Sequence, residues 1–155
     1  DILILGKALS GGTLPISAVL ANDEIMLTIK PGEHGSTYGG NPLACKVAMA
    51  SLQVLKDEKM ADNAEKMGII FRNALAALSS PFISCIRGRG LLNAIVIEHE
   101  NKDAAWDLCI ALMKNGLLAK PTHGEKIRFA PPLLINEDQI KEAAAIIEKS
   151  LKVLG

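Results

Sequence analysis

Strand-length apolar runs alternate with segments of helical period along the whole 155-residue chain. That alternation requires helices laid against a small sheet, because each helical stripe and each apolar strand face has to be buried against something. Ile2–Leu5 and Ile16–Ala21 read as strands. Asn22 caps a short helical segment, 23–29, with acidic residues in its first turn. Residues 30–40 hold Pro31, Gly32, Gly35, Gly39 and Gly40 and read as a loop. Asn41-Pro42 then gives an N-cap with proline at the first helical position, and Leu43, Val47, Ala50 and Val54 share one face of the helix that follows.

The charged stretch 57–60 interrupts the pattern and marks a boundary between residues 1–57 and residues 58–155. Past it, Ala64, Met67, Phe71, Ala74 and Leu78 define an amphipathic helix. Residues 82–86 and 91–98 read as strands around a turn, Arg87-Gly-Arg-Gly90. Ala105, Leu108, Cys109 and Leu112 mark a helix that Gly116 ends at the C′ position. Residues 117–119 and 127–129 are short strands separated by a turn at 121–124. Asn136 and Gln139 resemble a capping box opening a last helix through Ile140, Ala144, Ile147, Leu151 and Leu154. The second segment thus reads as a small α+β domain.

Composition excludes several functions. Lys+Arg and Asp+Glu both number 17, so the basic surplus of a nucleic-acid binder is missing. No apolar run approaches the ~18 residues of a membrane span. Cys45, Cys85 and Cys109 form no metal-binding or disulfide framework and read as small hydrophobes. The chain opens without methionine, directly inside an apolar strand, and is read as a fragment whose parallel-sheet partners lie upstream.

Lys7 is the residue of chemical interest. It follows an apolar strand and Gly6, and ligands in open α/β sheets bind beyond the carboxyl ends of strands. A lysine with its stem in apolar surroundings is deprotonated more easily, which gives the neutral amine that a Schiff base requires. A phosphate-binding P-loop is excluded, since no glycine lies five residues before Gly6 and Ala8 stands where Ser or Thr must bind magnesium. A plain Gly-Lys after a strand remains the alternative.

Leu5-Gly-Lys-Ala-Leu-Ser-Gly-Gly12 followed by Pro15-Ile-Ser-Ala-Val19 resembles the cofactor-lysine segment of class III (subgroup II) pyridoxal-phosphate-dependent aminotransferases. Gly32-Glu-His-Gly-Ser-Thr-Tyr-Gly-Gly-Asn-Pro42 is similar to that family's second signature. Within the family the closest resemblance is to the ornithine branch, carried by residues 30–38, 90–95, 115–124 and 127–132. The resemblance covers the full span. It implies an α/β fold of type I, with residues 1–57 as the end of the large cofactor-binding domain and its linking helix, and 58–155 as the small C-terminal domain.

The resemblance also implies roles. Lys7 would bind pyridoxal 5'-phosphate through its ε-amine and shuttle protons. Ser36 and Thr37 would donate to a cofactor phosphate, Thr37 reaching the site of a neighbouring subunit in a homodimer or higher homo-oligomer. A plain turn with local hydroxyl capping is the alternative for that loop. Arg128 would grip the carboxylate of an amino-acid or keto-acid substrate, with a strand salt bridge as its alternative. No metal is expected. The implied reaction passes the δ-amino group of L-ornithine to α-ketoglutarate, giving glutamate and glutamate semialdehyde, which cyclises to pyrroline-5-carboxylate. Acetylornithine or γ-aminobutyrate are alternative donors, and an isolated C-terminal piece that binds no cofactor is an alternative of another kind. The implied compartment is cytoplasm or mitochondrial matrix. Thr13-Leu14 departs from the family, where many relatives carry an aromatic before the proline. His34 and Trp106 are given no chemical role, Trp106 reading as packing. Arg87 and Arg89 read as a solvated pair flanking a turn glycine.

Overall fold

The computed structural model describes residues 1–155, and the chain divides into two compact units, Asp1–Glu58 and Lys59–Gly155. In the first unit, β1 (Ile2–Leu5) pairs antiparallel with β2 (Ala18–Ala21), Ile2 opposite Ala21 and Leu5 opposite Ala18. Two expectations are corrected here. β2 starts at Ala18 rather than Ile16 because β1 offers no partner beyond Leu5. Nor is the opening strand buried: Ile2, Leu3 and Ile4 are more than half exposed.

Asn22 caps α1 (Asp23–Met26), which is shorter than expected and closes in a turn at Leu27. The loop 30–40 is exposed throughout. Asn41 accepts from the Ala44 amide at 2.9 Å and starts α2 (Pro42–Asp57), with Pro42 in the first turn. The buried face of α2 is Ala44 and Ala48, while Leu43 and Val54 are exposed. The predicted stripe is therefore rotated by one residue. Four equally apolar positions on either side of a helix cannot be ranked by period alone.

The second unit holds a four-stranded antiparallel sheet, order β3 (Ile83–Arg89), β4 (Leu92–Ile97), β6 (Lys126–Phe129), β5 (Lys120–Thr122). Packed with it are α3 (Met60–Ala77), α4 (Ala104–Lys114) and α5 (Glu137–Leu151), followed by a 3-10 turn at Lys152–Leu154. Met67, Phe71, Leu75, Ile95, Leu108, Leu112, Ile127, Phe129, Ile140 and Ile147 make one core between sheet and helices. Phe71 meets Phe129 edge-on at 5.6 Å, a favoured aromatic geometry.

The helix termini follow their sequence signals. Gly116, at φ 97°, lets the Leu117 amide reach back to the Leu112 carbonyl at 2.9 Å and close α4. Asn136 and Gln139 form the expected reciprocal cap of α5, at 2.9 and 3.0 Å. Three strand expectations are corrected. β3 runs on through Arg89, so Arg87 and Arg89 are ladder residues and only Gly90 and Leu91 turn. The predicted strand 117–119 and turn 121–124 give way to β5 at Lys120–Thr122, because Pro121 sits on an edge strand where its missing N–H is not needed. Trp106 is 58% exposed and packs no core, and Cys85 is exposed on the edge strand β3.

One close approach fixes the hairpin on α3. Gly68 is buried, and a Cβ there would stand 1.8 Å from the Gly90 carbonyl oxygen. The same oxygen accepts from Arg72 Nη1 at 3.0 Å and Asn93 Nδ2 at 3.1 Å, and Arg72 also donates to Asn93 Oδ1 at 2.8 Å. Asn93 is 1% exposed and fully engaged in this network, as a buried amide must be.

Candidate functional site

The twelve residues between β1 and β2 are organised by Ser10, the one buried polar residue of the first unit. Its hydroxyl accepts from the Leu14 amide and donates to the Leu14 carbonyl, and its own carbonyl accepts from Thr13 Oγ1 at 2.8 Å. Gly11 and Gly12, at φ 66° and 83°, supply the left-handed turns that follow. Ahead of this knot stands Lys7, with φ 54°. A left-handed non-glycine residue costs on the order of 1–3 kcal/mol and persists only where its surroundings over-determine it. Such strain is enriched at functional sites.

Lys7 lines a cavity of about 440 Å³ with Ser17, Ser36, Tyr38, Gly39 and Asn41. The lining carries a cation and hydroxyls and no carboxylate, a donor set suited to an anionic group. An amine and hydroxyl donors around one cavity fit a molecule bearing an aldehyde and a phosphate, and in that sense the residues present fit pyridoxal phosphate. Lys7 is itself exposed. The apolar sheath expected around its stem is therefore not supplied by these residues, which corrects the desolvation argument made from sequence.

Ser36 Oγ accepts from the Gly39 amide at 3.0 Å, the local capping named as the alternative reading, and it lines the cavity as well. Thr37 lies beside it in the exposed loop but does not line the cavity. Tyr38, Ser17 and Asn41 were not singled out from sequence. Tyr38 sits inside the glycine-rich signature, which was signal enough, whereas Asn41 shows in sequence only as a helix cap.

Arg128 belongs to the second unit. It is exposed on β6, on the face opposite to buried Ile127 and Phe129, as strand alternation predicts. The strand salt bridge offered as its alternative is not formed: the ion pairs of the chain are Glu125 with Lys126 and Glu137 with Lys141. His34 is exposed in the loop. No group of three or more His, Cys, Asp or Glu side chains could hold a metal ion, and no helix is long and apolar enough to cross a membrane.

Residues 1–151 match the family model described as aminotransferase class-III. The chain is 64% identical over 151 residues to mitochondrial ornithine aminotransferase of Drosophila melanogaster, covering 97% of this chain and 35% of that protein. It is 60% identical to the Rattus norvegicus mitochondrial enzyme over the same length, covering 97% and 34%. Among solved structures, acetylornithine aminotransferase from Elizabethkingia anophelis superposes with a TM-score of 0.91 at 58% identity, over 99% of this chain and 41% of that one. Ornithine aminotransferase from Toxoplasma gondii, described with pyridoxal phosphate at partial occupancy in its active site, gives 0.92 at 49%, over 99% and 37%. The chain spans about a third of the length of the curated relatives it matches. Its fold is the α/β fold of the type I pyridoxal-phosphate enzymes. A strained lysine beside a carboxylate-free cavity, and these likenesses over nearly every residue, have one common explanation: the chain belongs to the class-III aminotransferase family.

Proposed function

We propose that these residues are the carboxyl-terminal third of an ornithine δ-aminotransferase that moves the δ-amino group of L-ornithine to α-ketoglutarate. Curated relatives named ornithine aminotransferase, at 50–64% identity, support the donor. The observation that carries the reading is Lys7, held in a strained backbone conformation at the wall of a cavity with hydroxyl donors and no acid. Residues 1–57 would then end the large cofactor-binding domain, and 58–155 would form the small domain.

Pyridoxal phosphate, when bound, supplies the electron sink that makes the carbon–hydrogen bond beside the amine acidic. The Lys7 Nζ amine would hold the cofactor and would serve as the base and acid that takes up and returns a proton at the substrate carbon. Ser36 and Thr37 offer hydroxyl donors for a phosphate, and Thr37, exposed and outside the lining of the chain's own cavity, suits a neighbouring subunit of a homodimer. Arg128, free of any protein carboxylate, presents its guanidinium fork to a substrate carboxylate through two parallel hydrogen bonds. The compartment would be the mitochondrial matrix or the cytoplasm, the first supported by relatives named mitochondrial.

Because Lys7 is exposed in this chain, the 155 residues alone are expected to lack activity. The test is borohydride reduction of the full-length protein with pyridoxal phosphate, followed by peptide mass spectrometry. One label per chain at Lys7 is expected, and Lys7→Ala should lose the label and slow turnover by about 10²–10⁴-fold. Labelling at another lysine, or turnover retained in Lys7→Ala, would remove Lys7 from this role.

A further inference from the structure

The loop between β1 and β2 is a run of three overlapping turns. The Leu9 amide donates to the Gly6 carbonyl at 3.2 Å, the Gly11 amide to the Ala8 carbonyl at 2.9 Å and the Thr13 amide to the Ser10 carbonyl at 3.4 Å. Lys7 is the first central residue of the first turn, and its φ of 54° is one that glycine adopts at far lower cost. A loop built only for shape would carry glycine there. The chain instead keeps a lysine in that conformation and has its glycines at positions 11 and 12.

What holds the strained turn lies three residues further on, at the buried Ser10. Its hydroxyl bonds both main-chain groups of Leu14, and its carbonyl accepts from the amide and the hydroxyl of Thr13. Four hydrogen bonds thus close the loop across Gly11 and Gly12, and all four end on Ser10. Behind the loop, a Cβ at Gly11 would stand 3.2 Å from Ser51 Oγ of α2, so the turns have little room to sink toward that helix. Leu14 leads directly into Pro15, Ile16 and Ser17, which line the same cavity as Lys7. Ser10 therefore ties the residue that bears the amine to the wall of its cavity.

We infer that Ser10 is a positioning residue for Lys7: by clamping Leu14, its hydroxyl fixes the backbone that carries the ε-amine relative to the wall formed by Pro15, Ile16 and Ser17. The inference rests on the role proposed above for Lys7. Ser10 does not line the cavity, so it acts only through the chain. A displacement of about 1 Å between reacting groups can slow a reaction on the order of 10²-fold, even when the altered residue is remote from the chemistry. Alanine at position 10 fits the space but removes the clamp and leaves the two Leu14 groups without their partner. The first turn can then relax toward an ordinary φ and carry Nζ away from its working position. The loss falls on the rate at which the amine reacts and not on the affinity for the molecule it reacts with.

The experiment uses the full-length protein freed of cofactor, as wild type, Ser10→Ala, Ser10→Thr and Ser10→Cys, with Asn136→Ala as a control for stability alone, since it uncaps α5 in the other unit. Each is mixed with pyridoxal phosphate at rising concentrations and quenched with borohydride at intervals. The Lys7 amine condenses with the aldehyde, water leaves, and hydride from borohydride turns the C=N bond into a secondary amine that peptide mass spectrometry counts. Ser10→Ala should lower the limiting rate at saturating pyridoxal phosphate roughly 10- to 100-fold, with the half-saturating concentration changed by less than about threefold. In the loaded enzyme kcat should fall by a similar factor, with the KM for ornithine little changed. Ser10→Thr or Ser10→Cys, each of which keeps a donor on Cβ, should recover part of the rate, and Asn136→Ala should label as the wild type does. A limiting rate in Ser10→Ala within about threefold of the wild type, an equal loss in Asn136→Ala, or no recovery in either conservative variant would overturn the inference and leave Lys7 as the labelled residue. No label at Lys7 in the wild type would instead sink the reading on which the inference rests.

Discussion

Gly68→Ala should destabilise the second unit, although alanine is the better helix former by about 1 kcal/mol. The new methyl would stand 1.8 Å from the Gly90 oxygen and 2.4 Å from its carbonyl carbon. Carbon–oxygen contacts in proteins settle near 3.3 Å, so α3 and the β3–β4 turn must separate by about 1.5 Å. Such a shift breaks the hydrogen bonds that Arg72 and Asn93 make to that oxygen, at 3.0 and 3.1 Å. The first is charge-assisted and contributes about 1.5–3 kcal/mol, the second about 1 kcal/mol. Subtracting the helix gain leaves a net loss on the order of 1–3 kcal/mol. For a unit of this size that corresponds to a thermal midpoint lower by roughly 5–15 °C. Far-UV circular dichroism during heating, or urea titration, measures it. A variant as stable as the wild type would show that the turn yields without cost and that the contact does not fix the hairpin.

Arg128→Lys should raise the KM for α-ketoglutarate by at least about tenfold, since an ammonium cannot reproduce the fork; an unchanged KM in steady-state kinetics would count against the assignment. Asn136→Ala removes half of the α5 capping box and should cost about 1 kcal/mol by urea titration, and no measurable change would mean that water replaces the cap. Burial pushes the Cys109 thiol up to about 11, whereas Cys85 is exposed. At pH 8 iodoacetamide should therefore modify Cys85 rapidly and Cys109 only on unfolding. A thiol pKa raised by folding contributes stability that is present below about 9 and lost as the pH climbs toward 11. Equal labelling rates at the two cysteines would refute the packing of α4.

Much of this was legible in the sequence, and the failures share a cause. Caps and stops are local, so Asn41, Gly116 and the Asn136–Gln139 pair could be read directly. On α3 the helical period picked out Met67 and Phe71, which are buried, but named Ala74 where Leu75 is the buried residue. On α2 the apolar residues wrap around the helix, and only packing selects Ala44 and Ala48. Lys7 was found by its position after a strand and its surrounding motif, yet its left-handed backbone has no sequence signal at all. Arg87 was misread because Gly88 and Gly90 suggested a wide turn. Gly88 is instead a ladder residue whose Cβ would collide with Asn93, 2.3 Å from its Oδ1. That contact depends on the cross-strand register, which a linear reading does not supply.

The β1–β2 ribbon has a practical consequence for anyone handling this chain in isolation. A two-stranded hairpin is marginal in water, and both of its outer rims carry main-chain groups available to another molecule. Ile2, Leu3, Ile4, Val19 and Leu20 add an exposed greasy surface to those rims. Asp1 and Lys7 bracket one strand and Asp23 follows the other, as gatekeeping charges do around segments prone to stack. Concentrated preparations should therefore form oligomers by strand addition through residues 2–5 and 18–21, and a charge introduced at Ile4, the most exposed of the five, is the substitution best placed to keep them monodisperse.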